Sequence, residues 1–236
     1  MPPTTNAWLI VFVKAPSAGV VKTRLQPLLS PEETGALYRG LVQDTLAVCR
    51  QLRTLRLAVA YAANREFPDL AWLGDETPMF LQHGRALGER LAHAFEWAFS
   101  QGAARVLALG SDAPELSAAW IRRGAQALDT YDVVLGPTHD GGYHLIGLTT
   151  PRPELFADMP WSTSHLFSRT LAKIDQLRLS VRCLESIADL DTPADVRAYL
   201  AHQQRARRRT HTARLLRPLR ERVSLSSPRV RTTNVS

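Results

Sequence analysis

An α/β layered fold with a mostly parallel sheet is what this sequence predicts, and three observations carry the expectation. Apolar, strand-like runs alternate with segments of helical periodicity along most of the chain. The first run, Trp8–Val13 (WLIVFV), is continuously apolar, as a strand covered on both faces must be. The helical segments open on capping signals, as at Ser30 and Thr192. The 236 residues, 45% of them hydrophobic, suit one globular domain with an appendage.

The elements follow in order. Ser30-Pro31-Glu32-Glu33 places an N-cap serine, a proline at the first helical position and two acids in the first turn, so a helix runs to about Leu52. Leu55–Tyr61 is the second strand, and Met79–Gln82 a shorter third. Leu87–Ser100 carries apolar residues at helical spacing (Leu87, Leu91, Ala94, Phe95, Ala98) and Gly102 stops it. Arg105–Leu109 is a strand, and Ser117 caps a helix to about Leu128. Asp132–Leu135 and Tyr143–Leu148 are strands around a Gly-rich turn. Ser164–Leu177 is helical and Ser180–Leu184 strand-like. Thr192-Pro193-Ala194-Asp195 is a capping box opening a further helix. The expected division is a folded domain over 1–204 and an Arg-rich, disordered tail over 205–236, with a short helix possible around His211–Leu216.

Charge is unevenly placed. Residues 201–236 hold ten Arg and one acid, Glu221, whereas 1–200 hold nineteen bases and twenty-one acids. The net +7 therefore belongs to the tail, and the near-neutral body excludes a nucleic-acid reading of the whole chain. The tail could dock RNA, anionic lipid or an acidic partner, but a solvated appendage with no role in the chemistry is the preferred reading. No aromatic residue follows Tyr199, which argues against base stacking there. Cys49 and Cys183 form no disulfide framework or zinc spacing, which suits a reducing cytoplasm; both fall inside expected elements and are expected to be buried and inert. No run approaches the roughly 20 apolar residues that cross a bilayer.

Four segments can carry chemistry. The loop after the first strand, Lys14 to Arg24, holds Lys14, Lys22 and Arg24 with Pro16 and Gly19, so its cations and backbone N–H groups can meet phosphates. It lacks both the Walker and the G-x-G-x-x-G spacing, and a solvated basic loop is the plain alternative. Gly110-Ser111-Asp112-Ala113-Pro114 ends the strand Arg105–Leu109, where a carboxylate faces the ligand crevice and can hold a divalent cation; capping of a turn is the alternative. Gly136-Pro137-Thr138-His139-Asp140-Gly141-Gly142-Tyr143 is a hairpin turn or a Gly-rich substrate wall. Asp189 and Asp191, just before a helix, supply either charge for its N-terminus or a second metal ligand. Gln82-His83-Gly84, Leu87-Gly88-Glu89-Arg90 and Trp161-Ser162-Thr163 are weaker candidates for nucleotide or sugar contact.

Taken in order, Phe12–Leu25 (FVKAPSAGVVKTRL), Gly110–Pro114, Gly136-Pro137 with Asp140–Tyr143, Trp161–Thr163 and Asp189–Thr192 resemble the small bacterial GT-A-fold transferases described as selenodomain-associated or arsenosugar-biosynthesis glycosyltransferases. The resemblance spans about residues 8–200 and implies a three-layer nucleotide-diphospho-sugar transferase fold. It implies that Lys14, Ala15, Pro16, Gly19, Lys22, Arg24, Gln82, Gly88 and Ser111 bind the nucleotide. Asp112 and Asp191 would hold Mg²⁺ or Mn²⁺. His139, Asp140, Gly141, Gly142, Tyr143 and Trp161 would line the sugar or acceptor pocket. From location alone, Asp140, or less readily His139, could take the acceptor's proton, while Lys22 stabilises the leaving group. Two positions depart from the pattern: residue 110 is Gly, so an Asp-x-Asp motif is missing, and Ala86 stands where an acid is common.

The expectation is a metal-dependent glycosyltransferase moving a sugar from a nucleotide-sugar to a small-molecule acceptor. The Lys-Thr-Arg-Leu string is also similar to that of phospholactate guanylyltransferases, whose fold the molybdenum-cofactor guanylyltransferases share. Nucleotidyl transfer, releasing pyrophosphate from a nucleoside triphosphate, is therefore the first alternative, and a non-catalytic nucleotide-binding protein the second.

Overall fold

The computed structural model describes residues 6–62, 70–73, 77–206 and 210–219. Seven strands form one mixed sheet: β1 (Ala7–Lys14), β2 (Arg56–Ala62), β3 (Met79–Leu81), β4 (Arg105–Leu109), β5 (Val133–Pro137), β6 (Tyr143–Leu148) and β7 (Val181–Cys183). Their order is β3-β2-β1-β4-β6-β5-β7. Only β6 runs antiparallel, against both β4 and β5; the other pairings are parallel. The three-layer, mostly parallel expectation is met.

Alternation along β1 shows why both faces are covered. Leu9, Val11 and Val13 pack with Tyr38, Val42 and Leu46 of α1 (Pro31–Cys49) and with Trp120 and Ile121 of α3 (Ala118–Ala127). Trp8 and Ile10 face the other way, onto Leu91, Ala94, Phe95 and Ala98 of α2 (Leu87–Ser100) and Ile174 of α4 (Leu166–Gln176). Each such fully buried aliphatic side chain contributes roughly 1.5–3 kcal/mol. The expected caps form: Ser30 and Glu33 make a reciprocal capping box, and Ser117 accepts from Trp120 N. Asp195 Oδ2 accepts from the backbone N–H of Asp191 and Thr192 at the head of α5 (Pro193–Ala206). Element ends match the sequence expectation within a few residues; the largest shift is α1, which stops at Cys49 rather than near Leu52.

Two expectations are corrected. The segment expected as tail from residue 205 is not wholly disordered: the short helix it allowed forms and packs on the body. Helix α6 (His211–Leu216) and the following 3-10 turn bury Leu216 and Leu219 in a third cluster with Leu37 and Leu41 of α1 and Val196, Tyr199 and Leu200 of α5. Asp44 of α1 caps α6, accepting from His211 N and Thr212 N, both at 2.8 Å. The tail segments 207–209 and 220–236 lie outside the described residues. Since removing an N-terminal cap costs about 0.5–2 kcal/mol, Asp44→Ala should lower stability by about that much. It should also speed amide exchange at His211 and Thr212 in hydrogen-exchange mass spectrometry. Unchanged exchange there would mean that the cap does not hold α6.

The second correction concerns the thiols, both expected to be buried. Cys49 is buried on α1, and that burial pushes its thiol up to about 12. Cys183 is exposed on the short strand β7. A disulfide-exchange reagent near pH 8 should therefore titrate Cys183 alone in the native chain and both thiols after unfolding. Rapid native reaction of both would contradict the packing of Cys49.

Candidate active site

The carboxyl ends of β1 and β4, with the start of β6 beside them, open into one cleft of about 550 Å³. This is the edge where open α/β sheets hold their ligands. Its floor is a three-residue cluster. Lys22 Nζ lies 2.8 Å from Asp112 Oδ1 and 2.5 Å from Asp191 Oδ1. The Lys22 side chain is 4% exposed, whereas each carboxylate keeps about 40% of its side chain accessible. An ammonium is thus buried beneath two acids that still face the cleft.

Electrostatics fit that picture. Burial opposes the charge of Lys22, yet the two carboxylates hold its pKa well above the ordinary lysine range, so the ammonium keeps its proton. Burial works to raise Asp112, but the Lys22 charge and hydrogen bond outweigh it, with help from His144 and Lys14, and the carboxyl sits below its ordinary range. Lys22 also has left-handed backbone, φ 54° and ψ 37°, at the start of a 3-10 turn. A non-glycine residue there costs about 1–2 kcal/mol, and such strain gathers at functional positions.

Scaffolding hydrogen bonds fix the cleft walls. Lys14 N donates to Tyr38 Oη at 2.8 Å, and Tyr38 Oη lies 3.3 Å from Ser111 Oγ, which donates to Phe12 O. One tyrosine of α1 thereby ties the ends of β1 and β4 together. Burial and the nearby Asp112 charge raise the Tyr38 phenol, which stays neutral. Gln82 Nε2 donates to Val13 O and Ala60 O, so its amide nitrogen is spent on holding β1 and β2. Leu190 N donates to Asp112 O at 3.0 Å, which carries Asp191 to the side of Asp112.

The position where an Asp-x-Asp acid would stand is tightly packed. A Cβ on Gly110 would lie 3.1 Å from His144 Cε1 and 3.2 Å from His144 Nδ1. The buried imidazole of His144 occupies the space beside residue 110, and its Nδ1 lies 3.1 Å from Asp189 Oδ1. At Ala86 no side chain caps α2; the Glu89 carboxylate accepts from Arg85 N instead.

Of the residues expected from the sequence, Lys14, Lys22, Arg24, Gln82, Ser111, Asp112, Tyr143, Trp161 and Asp191 line the cleft. Ala15 and Pro16 are buried behind the first loop, Gly19 turns it with φ +75°, and none of the three lines the cleft. Gly88 lies beneath Trp161: a Cβ there would meet Phe156 O at 2.5 Å and Trp161 Nε1 at 2.7 Å.

The Gly-rich turn is a correction. Asp140, expected as base, accepts from Thr138 Oγ1 and Gly142 N within the β5–β6 hairpin, and neither it nor the exposed His139 lines the cleft. Gly141 and Gly142 shape that hairpin and do not line the cleft either: a Cβ on Gly141 would lie 2.1 Å from Ser164 O. The hairpin reading of these residues, open at the sequence level, is the one the structure supports.

The sequence reading missed Tyr38, Arg85 and His144, which also line the cleft. Tyr38 sits on the inward stripe of α1 with Val42 and Leu46, and His144 continues an apolar strand. Both read as core residues when only local pattern is available. Among the described residues no group of three or more His, Cys, Asp or Glu gathers as a metal site; the acids facing Lys22 are a pair.

Comparisons with known proteins agree with this architecture. The chain is similar to the crystal structure of a candidate nucleotide-diphospho-sugar transferase from Desulfovibrio desulfuricans G20, with 32% identity, TM-score 0.88, and 94% of this chain and 98% of that one covered. It shares the fold of CMP:2-keto-3-deoxy-manno-octonic acid synthetase complexed with CTP at 14% identity and TM-score 0.53, covering 84% of this chain and 99% of that one. It likewise shares the fold of a Mycobacterium tuberculosis H37Rv protein in complex with manganese at 18% identity and TM-score 0.51, covering 82% and 97%. No curated protein sequence matches the chain. The fold is that of the nucleotide-diphospho-sugar transferases, as the resemblance implied. With residues 45–163 matching, the chain belongs to the DUF2064 family, described as uncharacterized protein conserved in bacteria.

Proposed function

We propose that the chain is a metal-assisted transferase that moves a sugar from a nucleotide-sugar donor to a small acceptor. The observation that carries this reading is the Lys22–Asp112–Asp191 cluster at the strand ends, ringed by Lys14, Arg24, Arg85 and Arg90. Two carboxylates that converge on one cation and stay open to the cleft suit a hard ion such as Mg²⁺ or Mn²⁺, which is bound by one or two carboxylates with water and phosphate oxygens. Asp112 and Asp191 would hold it. Such an ion offsets negative charge on a departing diphosphate. The relative from Desulfovibrio desulfuricans G20 supports the donor class through its designation.

The chain's own groups divide the remaining work. Lys22 and Arg24 meet the phosphates from the first loop, and Arg85 and Arg90 do so from the head of α2. Charge gathered on the diphosphate as the anomeric C–O bond breaks is stabilised by these cations in place before the reaction. Trp161 and Tyr143, with ring centroids 6.4 Å apart, form an apolar wall that keeps water off the transferring sugar. The earlier resemblance to arsenosugar-biosynthesis transferases supports a small hydroxyl-bearing acceptor. Both thiols of the described chain are free, which supports a reducing, cytoplasmic setting, and no described helix is long and apolar enough to cross a membrane.

A second reading, nucleotidyl transfer with release of pyrophosphate, is favoured by the charge of the same walls. Five basic side chains face three acids there, an excess that suits a triphosphate better than a diphosphate. A mass-spectrometric screen with Mg²⁺ and Mn²⁺ against nucleotide-sugars and nucleoside triphosphates separates the two. Nucleoside diphosphate appearing from one nucleotide-sugar supports glycosyl transfer. Pyrophosphate from one triphosphate replaces it with the second reading, and silence in both pools would sink both.

A further inference from the structure

Resting on the metal-assisted reading above, we propose that Lys22 is the resident cation of the Asp112–Asp191 pair, and that the pair admits a divalent ion only together with a phosphate-bearing substrate. Lys22 is thereby a specificity residue, selecting a metal–diphosphate complex over the free metal.

Three observations lead there. First, Lys22 Nζ holds one oxygen of each carboxylate, at 2.8 Å from Asp112 Oδ1 and 2.5 Å from Asp191 Oδ1, so the pair already carries a cation between its two charges. A free metal ion must displace it or share oxygens with it at close like-charge range. Second, the Lys22 side chain is only 4% exposed. An ammonium stripped of both carboxylates in that position would be a buried, unpaired charge, which is strongly disfavoured. Third, the loop is open just before Lys22, although Val21 beside it is anchored in the core. A Cβ at Gly19 would meet nothing within 4 Å, Val20 is 67% exposed, and Lys22 itself sits in the costly left-handed region.

A phosphate changes the balance. Its oxygens give the ammonium a new partner, so Lys22 leaves the acids without being stranded. The two carboxylates then accept the divalent ion that the phosphate brings. The change of partner conserves pairing for every charge: ammonium on phosphate, metal on carboxylates and phosphate. Lys14 and Arg24, in the same loop region, line the same cleft and hold the anion there. Metal alone has no such route.

The test uses the full chain and no turnover. Free Mn²⁺ is titrated by electron paramagnetic resonance into wild type, Lys22→Met and the Lys22→Met/Asp112→Asn double variant. Thermal melts are recorded with Mn²⁺, with inorganic pyrophosphate, and with both. Lys22→Met should bind free Mn²⁺ at least tenfold more tightly than wild type, and the double variant should lose that gain. The melting temperature of Lys22→Met should rise with Mn²⁺ alone, whereas wild type should rise only with Mn²⁺ and pyrophosphate together. Lys22→Gln, whose amide can still donate to a carboxylate, is read alongside in case Met impairs folding and should follow Lys22→Met. Equal Mn²⁺ affinity in wild type and both single variants would overturn the proposal. Absence of Mn²⁺ binding in every form, with and without pyrophosphate, would overturn it and remove the metal from the site as well. Tight binding by Lys22→Met in a chain that turns over neither substrate pool would uphold it while the glycosyl reading falls.

Discussion

Asp112→Asn should lower turnover by roughly 10²–10³-fold, the range seen when one electrostatic contributor to transition-state stabilisation is removed. The substitution keeps size and shape but takes away a full negative charge at the centre of the cluster. Lys22 then has one charged partner, Asp191, in place of two. A divalent ion likewise loses one of its two anionic ligands. The backbone should be unaffected, because the link between Asp112 and Leu190 uses the Asp112 carbonyl and not its side chain. Initial rates on whichever substrate the screen identifies, with thermal melts as a folding control, measure the effect. Wild-type rates in a well-folded Asp112→Asn would remove this carboxylate from the mechanism.

Gly141→Ala should be the most destabilising single methyl in the chain's Gly-rich turn, at roughly 2–5 kcal/mol. Two costs add. The residue has φ +88°, and a side chain in left-handed backbone costs about 1–2 kcal/mol. Its new Cβ would also lie 2.1 Å from Ser164 O and 2.8 Å from Ser164 C, backbone atoms that cannot turn aside as a side-chain tip can. Overpacking of that kind typically costs about 1–3 kcal/mol. At about 2–4 °C per kcal/mol for a domain of this size, the melting temperature should fall by roughly 4–20 °C. Gly102→Ala is the matched control. It shares the positive φ, +80°, but its Cβ would meet nothing within 4 Å, so it bears the conformational cost alone. Equal losses in the two variants would show that the contact with Ser164 is not the cause.

The same turn shows why part of the site was illegible. Asp140 is acidic, flanked by glycines and next to a tyrosine that lines the cleft, so local pattern alone leaves its role open. Its Oδ1 accepts hydrogen bonds from Thr138 Oγ1 and Gly142 N, a hairpin contact that no local pattern shows. The residues of the first loop fared differently. Lys14, Lys22 and Arg24 follow a strand buried on both faces, and that position alone brings them to the ligand edge of the sheet.

Gly110 and His144 illustrate the opposite limit. In the sequence, Gly110 is an acid missing from a motif, and His144 is a polar residue in an apolar strand. They meet only when β4 and β6 lie side by side and the imidazole fills the space next to residue 110. The C-terminal helix is a similar case. His211–Leu216 reads as a short helix in an Arg-rich tail, and its membership of the folded body depends on Asp44 and the Leu216 and Leu219 contacts with α1.

By itself the sequence determined the order, type and approximate ends of the strands and helices, together with the layered fold. Those features follow from capping and from periodic burial, which act between residues a few positions apart. Only the tertiary structure decided which polar side chains meet. Lys22 and Asp191 are 169 residues apart in the chain and 2.5 Å apart in space. No local pattern encodes that distance; it arises because the sheet brings separate loops to one edge, where burial and charge then select the partners.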